Sequence, residues 1–178
     1  MAQKLLLIDT DCGIDDAQAV MVALAQPNVK VLGITCCFGN TSVDHVCQNV
    51  VRVLSVCGRN EVGFRVFCCP IIHLFFSQVP SLHRIILLQI PVFKGLAGPL
   101  VGAFNTLKDH FGTDGLGDVL NAEHPVGWKD RIQKEHAVTA MIRLVSENPG
   151  QVTVRMTRYE STLLVKGNHY SKELCICL

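Results

Sequence analysis

Residues 5–20, LLLIDTDCGIDDAQAV, decide the fold. Leu5, Leu6, Leu7 and Ile8 form a short unbroken apolar run, the pattern of a strand covered on both faces. After Gly13, Asp15 and Asp16 open the helix-favouring stretch DDAQAVMVALAQ, where acids suit the positive end of the helix dipole. Four carboxylates, Asp9, Asp11, Asp15 and Asp16, therefore crowd the turn at the strand's carboxyl end. One or two would be ordinary caps. Four repel one another unless a cation or strong donors neutralise them.

The alternation continues outward. The expected order is strand Leu5–Ile8, helix Asp16–Ala25, strand Val29–Cys37 and helix Val43–Val56. In the last, Val43, Val46, Cys47, Val50, Val53 and Leu54 recur at helical spacing, Thr41 or Ser42 can cap the start, and Gly58 ends it. This βαβα order predicts an α/β fold, an open and mainly parallel sheet flanked by helices, with ligands outside the carboxyl ends of the strands. The loop CCFGNTS emerges at that same edge, so Asn40 and Thr41 are expected to face the acids. Later, Ile132, Ala137, Ala140, Met141 and Leu144 mark an amphipathic helix that Asn148, Pro149 and Gly150 stop, and QVTV begins like a strand.

Bulk properties narrow the function. A chain of 178 residues with 49% hydrophobic content suits one domain with a real core. A formal net charge of +1 with mixed signs gives no field for nucleic acid. The short apolar run before the first acids is not a signal peptide, so the expected location is cytoplasmic, with no membrane partner. In that compartment the nine cysteines are expected to be reduced thiols. Cys175 and Cys177 alone make a weak metal signal. The acceptor pattern at Asn40 would go unused.

Three chemistries compete for DTDCGIDD. An EF-hand calcium loop fails, because counting from Asp9 its glycine and twelfth-position acid fall on Ile14 and Val20, and a strand precedes it. A haloacid-dehalogenase-like phosphatase would use Asp9 as nucleophile and Asp11 as acid and base, but it has no role for Asp15 and Asp16. The third fits better. DTDCGIDDA resembles the D-T-D-P-G-x-D-D signature of the inosine-uridine-preferring nucleoside hydrolases, with Cys12 in place of the proline. The resemblance continues through VLGITCCFGNTSVDHVCQNVVRVLSVCGRNEV, IPVFKGLAGPL, HFGTDGLGDV and ENPGQVT, in the family's order.

The resemblance implies a nucleoside hydrolase-like fold with a Rossmann-like core, incomplete at the C-terminal end. It implies calcium-dependent hydrolysis of the N-ribosidic bond of ribonucleosides to ribose and free base. Asp11 and Asp16 would be Ca2+ ligands, with Asp11 also the general base. Asp15 and Asn40 would bind ribose hydroxyls, Asp9 would support the cluster, and Gly13 would allow the turn. Such a reaction passes through an oxocarbenium-like transition state, which clustered carboxylates suit.

Departures from the family divide the chain. Residues 1–153 read as a partial nucleoside hydrolase-like domain, interrupted at 63–89 by an apolar insert of the kind a retained intron or alternative exon encodes. Residues 154–178 read as a divergent tail. VRMTRYES stands where the family has a P-L-T-N loop that completes the calcium shell, and no His-Asp dipeptide supplies the leaving-group acid. Phe111 occupies a position that some members fill with histidine, and His110, one position early, reads as a solvated loop residue. The expected activity is therefore impaired. The alternative is a non-catalytic isoform, either an unstable fragment or a partner of full-length subunits. Self-association and base preference are left open.

Overall fold

The computed structural model describes residues 3–58, 90–98, 110–118 and 127–157. Among them, five strands form one sheet: β1 (Lys4–Thr10), β2 (Val29–Cys36), β3 (Val92–Lys94), β4 (Ile132–Gln133) and β5 (Val152–Met156). Three α-helices accompany them, α1 (Ile14–Ala25), α2 (Val43–Val56) and α3 (Ala137–Glu147), with a 3-10 turn at Trp128–Arg131. The strand order is β4-β3-β2-β1-β5, and every pairing is parallel. From β1 the chain builds outward through β2, β3 and β4, then returns to place β5 on the other side of β1. The order thus reverses between β1 and β5, where open α/β sheets form ligand-binding crevices.

The reading of β1 as covered on both faces holds. Ile8 packs with Val20, Ile34, Val46, Val50 and Val92 on the side of α1 and α2. Leu7 packs with Phe93, Ala140, Met141 and Leu144 on the side of α3. Both central strands sink as they run: the first residues of β1 and β2 are exposed or half-buried, whereas Leu7–Thr10 and Gly33–Cys36 are buried. The polar residues that end these strands are therefore inside the protein.

Local chemistry explains the helix ends. Gly13 stands at the N-cap of α1 in extended conformation, and its N–H donates to the Asp16 carboxylate at 2.8 Å, one arm of a capping box. Ser42 caps α2 by accepting from the His45 N–H at 3.3 Å. The apolar stripe from Val43 to Leu54 is buried as the spacing predicts. At α3 the cap is His136, whose Nδ1 accepts from the Val138 N–H at 3.3 Å.

Several expectations shift. β1 runs on through Asp9 and Thr10, because the ladder continues opposite Thr35 and Cys36. Ile132 does not belong to the third helix: it pairs with Val92 in β4, and the His136 cap starts the helix at Ala137. A two-residue edge strand is too short to show a period, so its apolar residue was absorbed into the neighbouring helical pattern. β5 continues through residues 154–156, with Val154, Arg155 and Met156 opposite Leu7, Ile8 and Asp9. The insert at 63–89, Cys175 and Cys177, and the tail beyond residue 157 lie outside the described residues. Among the described residues, no helix is long and apolar enough to cross a membrane.

Candidate functional site

The carboxyl end of β1 brings together most of the acids, but in different roles. Asp9 is 6% exposed, and its Oδ1 accepts from the Thr35 hydroxyl at 2.7 Å, which fixes it against β2. Asp11 is equally buried, and its Oδ2 accepts from the Asn40 N–H at 3.0 Å. Asp16 is 2% exposed, and its Oδ2 accepts from the Gly13 N–H at 2.8 Å and from Asn40 Nδ2 at 2.9 Å. Asn40 thus spans Asp11 and Asp16 with its backbone and its side chain. Asp15 differs: it is exposed on the first turn of α1.

These contacts answer part of the charge problem. Asp9 and Asp11 have polar partners, and capping is a true part of Asp16's role. It is not all of it. Asp16 Oδ1 is buried with no hydrogen-bond partner. Burial above all raises the Asp16 pKa, and the nearby Asp15 charge adds to this, while hydrogen bonding from Thr157, Gly13 and Asp11 opposes it. A buried, orphaned carboxylate oxygen beside a second carboxylate costs stability unless something positive engages it.

The turn itself is unusual. Cys12 has φ +33°, and its N–H donates to the Thr10 hydroxyl at 3.0 Å. A proline can make neither that dihedral angle nor that bond. The Cys12 thiol is fully buried, and burial together with the charges of Asp16, Asp11 and Asp15 raises its pKa, so it stays neutral beside the acids. Cys12, Cys36, Cys37, Cys47 and Cys57 are all free thiols. Two glycines allow close approach. A Cβ on Gly39 would overlap the Asp11 carboxylate, and one on Gly13 would stand 2.6 Å from Asn40 Nδ2 and 2.9 Å from the Phe111 ring.

Phe111 therefore borders the acid turn, while His110 packs edge-on against it with ring centroids 4.6 Å apart. Thr41 does not face the acids as expected: its hydroxyl donates to the Thr113 carbonyl at 2.7 Å and lies 3.1 Å from His45 Nδ1. It anchors the 110–118 loop instead. Asn49, fully buried on α2, does the same from below, donating to the Cys12 carbonyl at 3.2 Å and the Asp114 carbonyl at 2.7 Å. Sequence reasoning missed Thr35, Asn49 and Thr157, polar residues whose partners are remote in the chain. A polar residue inside an apolar strand or stripe was the available signal. A separate open groove of about 620 Å³, lined by Lys94, Trp128 and His136 among others, includes none of the acid-turn residues.

The fit to a cation is partial. Asp11 and Asp16 supply hard oxygen donors of the kind a divalent cation takes, and Asp16 Oδ1 has no hydrogen-bond partner. Among the described residues, however, no group of three or more His, Cys, Asp or Glu side chains is arranged to hold a metal. The described residues fit as part of a shell.

Comparison with known proteins places this geometry. The model of the family described as inosine-uridine preferring nucleoside hydrolase matches residues 6–68 and 77–157, entering the atypical segment from both sides and reaching the end of β5. A rice (Oryza sativa subsp. japonica) protein named probable uridine nucleosidase 2 is 31% identical over 153 residues, covering 85% of this chain and 36% of the relative. The inosine-uridine preferring nucleoside hydrolase of Leishmania major is 29% identical over 155 residues, covering 86% of this chain and 39% of the relative. A solved inosine-guanosine nucleoside hydrolase superposes with a TM-score of 0.60 at 29% identity, over 87% of this chain and 38% of that one. The chain thus spans well under half the length of these relatives. A strand-end acid turn of this kind, on this parallel sheet and with this match, makes the chain a member of the inosine-uridine preferring nucleoside hydrolase family.

Proposed function

We propose that the chain carries the ribose- and cation-binding turn of a nucleoside hydrolase, and that its reaction is cleavage of the N-ribosidic bond of a ribonucleoside to ribose and free base. The observation that carries this reading is the buried Asp11–Asp16 pair, bridged by Asn40, with Asp16 Oδ1 left without a partner. The names of the similar proteins support the substrate class.

Asp11 and Asp16 would hold a calcium ion, with further ligands from elsewhere. When bound, such an ion supplies a Lewis acid that acidifies a coordinated water. The protein does the rest. Asp11 accepts the proton of the attacking water, a role suited to a carboxylate fixed by the Asn40 N–H. Asp15, exposed at the start of α1, and the remaining polar atoms of Asn40 bind ribose hydroxyls. Thr35 keeps Asp9 turned toward β2, so that it braces the turn. Phe111, against Gly13, excludes water from one side.

Turnover is reduced in this reading. Two carboxylates are a small share of the six to eight oxygens calcium takes. General acid catalysis at the leaving base is worth about 10²- to 10⁴-fold, and no His-Asp dipeptide occurs in the sequence to supply it as in the family. The same scarcity favours the second reading, a non-catalytic isoform that associates with full-length subunits. The test is calcium titration by calorimetry together with a ribose-release assay on inosine and uridine. Calcium binding and calcium-dependent release, both lost in Asp11→Asn, are expected. A folded chain that binds no calcium and releases no ribose sinks the enzymatic reading. Co-purification of that inactive chain with a full-length homologue would establish the second.

A further inference from the structure

We propose that Asn49, wholly buried on α2, is a positioning residue that sets the Cys12–Gly13 peptide, and through it the Asp16 carboxylate, while tying the 110–118 loop to the acid turn. This rests on the cation-binding reading above and deepens it.

Hydrogen counting fixes the role. The Asn49 amide offers two N–H hydrogens and one carbonyl oxygen. Arg52, whose guanidinium only donates, gives a hydrogen to Asn49 Oδ1 at 2.9 Å, which decides the end of the amide that carries the nitrogen. Nδ2 then donates to the Cys12 carbonyl at 3.2 Å and to the Asp114 carbonyl at 2.7 Å. Both hydrogens are used. The flipped amide would satisfy none of these three partners.

The first bond reaches Asp16. The Cys12 carbonyl and the Gly13 N–H belong to one trans peptide, so they point in opposite directions. Asn49 holds the carbonyl end, and the N–H end donates to Asp16 Oδ2 at 2.8 Å. Asn40 Nδ2 donates to the same oxygen at 2.9 Å, and Oδ1 is the oxygen without a partner. Such a peptide needs holding, because Cys12 at φ +33° is in a region that residues with a side chain rarely adopt.

The second bond reaches the loop. Its own contacts close it: Asp114 Oδ1 accepts from the Leu116 and Asp118 N–H groups, and the Asp118 carboxylate accepts from those of Thr113 and Asp114. Thr41 ties this unit to α2's entry through the Thr113 carbonyl, and Asn49 ties it to α2 itself through the Asp114 carbonyl. Gly115, at φ +82°, permits the approach, since a Cβ there would stand 3.0 Å from Thr41 Cγ2 and 3.4 Å from Asn49 Nδ2. One asparagine thus couples the loop that bears Phe111 to the turn that bears the acids. Groups that orient ligands in this way change metal affinity by about 10- to 100-fold when removed.

The two ties supply the control, because Thr41 holds the loop through Thr113, whereas Asn49 holds both the loop and the Cys12 peptide. The test is calcium titration by calorimetry on the full chain and on Asn49→Leu, Asn49→Asp and Thr41→Val, with hydrogen exchange of each in calcium-free buffer. Asn49→Leu is expected to speed exchange at Gly13 as well as in the 110–118 loop, and to weaken calcium binding about 10-fold or more. Thr41→Val is expected to speed exchange in the loop alone and to keep the wild-type calcium affinity. Asn49→Asp keeps the shape and the Arg52 contact but turns an acceptor oxygen toward both carbonyls. It should show the same loss, against the pull of its added charge on a cation, and it keeps the test decisive if Asn49→Leu unfolds. Wild-type affinity in the Asn49 variants would overturn this inference and leave the cation site standing. Equal losses in Asn49→Leu and Thr41→Val would assign the effect to loop stability and overturn the positioning role. A wild-type chain that binds no calcium would overturn both the cation reading and this role.

Discussion

Arg143 on α3 reaches Glu135 at 2.7 Å and Glu147 at 3.1 Å, with 42% of its side chain exposed, whereas Asp11 and Asp16 sit 6% and 2% exposed beneath the turn after β1. The first group pairs opposite charges in contact with water. The second concentrates like charges out of water, with amide donors for part of its capacity and one oxygen with no partner. The pKa directions are opposite. Hydrogen bonds from Arg143 lower that of Glu135, and burial raises that of Asp16. The lesson is that charged residues at a helix surface are balanced in water, whereas buried charges at the carboxyl ends of parallel strands oppose folding unless, like Asp9, they find a partner, and Asp16 keeps one oxygen without one.

The comparison breaks most sharply at Asp11. Asp11→Asn should reduce ribose release by at least about 10²-fold, the loss of a general base, and should abolish calcium binding. In calcium-free buffer it should also raise the melting temperature, since it removes one of two adjacent buried charges. Lower stability in that buffer would mean that the pair is not strained.

Next comes the turn that carries the acids. Cys12→Pro, although it restores the residue the family signature has, should cost about 3 kcal/mol in urea unfolding, because proline lacks the N–H that bonds Thr10 and cannot adopt φ +33°. Cys12→Gly should cost little. Stabilisation by the proline would show that the turn takes another conformation. Asn49→Leu should cost about 1–3 kcal/mol by leaving the buried Cys12 carbonyl and the part-buried Asp114 carbonyl without that donor, and it should loosen the 110–118 loop in hydrogen exchange.

The smallest effect is expected on α3. Arg143→Ala should shift melting by a few °C at most, as the loss of two exposed pairs does. The pH dependence carries opposite signs in the two groups. Glu135, with its pKa lowered from 4.5, contributes stability that is present above 4.5 and lost as the pH falls through the folded value. Asp16, with its pKa raised from 3.8, makes the calcium-free chain lose stability as the pH rises from 3.8 through the folded value. Saturating calcium should remove the second trend and leave the first. Melting curves across this range, with and without calcium, check both.

Much of the framework was legible locally. The run Leu5–Ile8, the turn at Gly13 and the stripe from Val43 to Leu54 each carry their period within a dozen or so residues, and α2 falls where the spacing puts it. Ile132 falls into the helical stripe by spacing because a two-residue edge strand leaves no period, and pairing with Val92 places it in β4. The acid motif pointed to the site, but it did not separate the four carboxylates into one braced, two paired and one exposed.

The sequence by itself determined the parallel α/β framework, the end of the sheet where the acids collect, and the family to which the chain belongs. Tertiary structure alone decided which acids are buried together and what holds them. Thr35 reaches Asp9 across 26 residues, and Thr157 reaches Thr10 across 147. Hydrophobic periodicity reports which face of an element meets the core, and it holds no record of which distant hydroxyl will stand beside a carboxylate. That is settled only when β5 pairs with β1 and the strand order reverses between them.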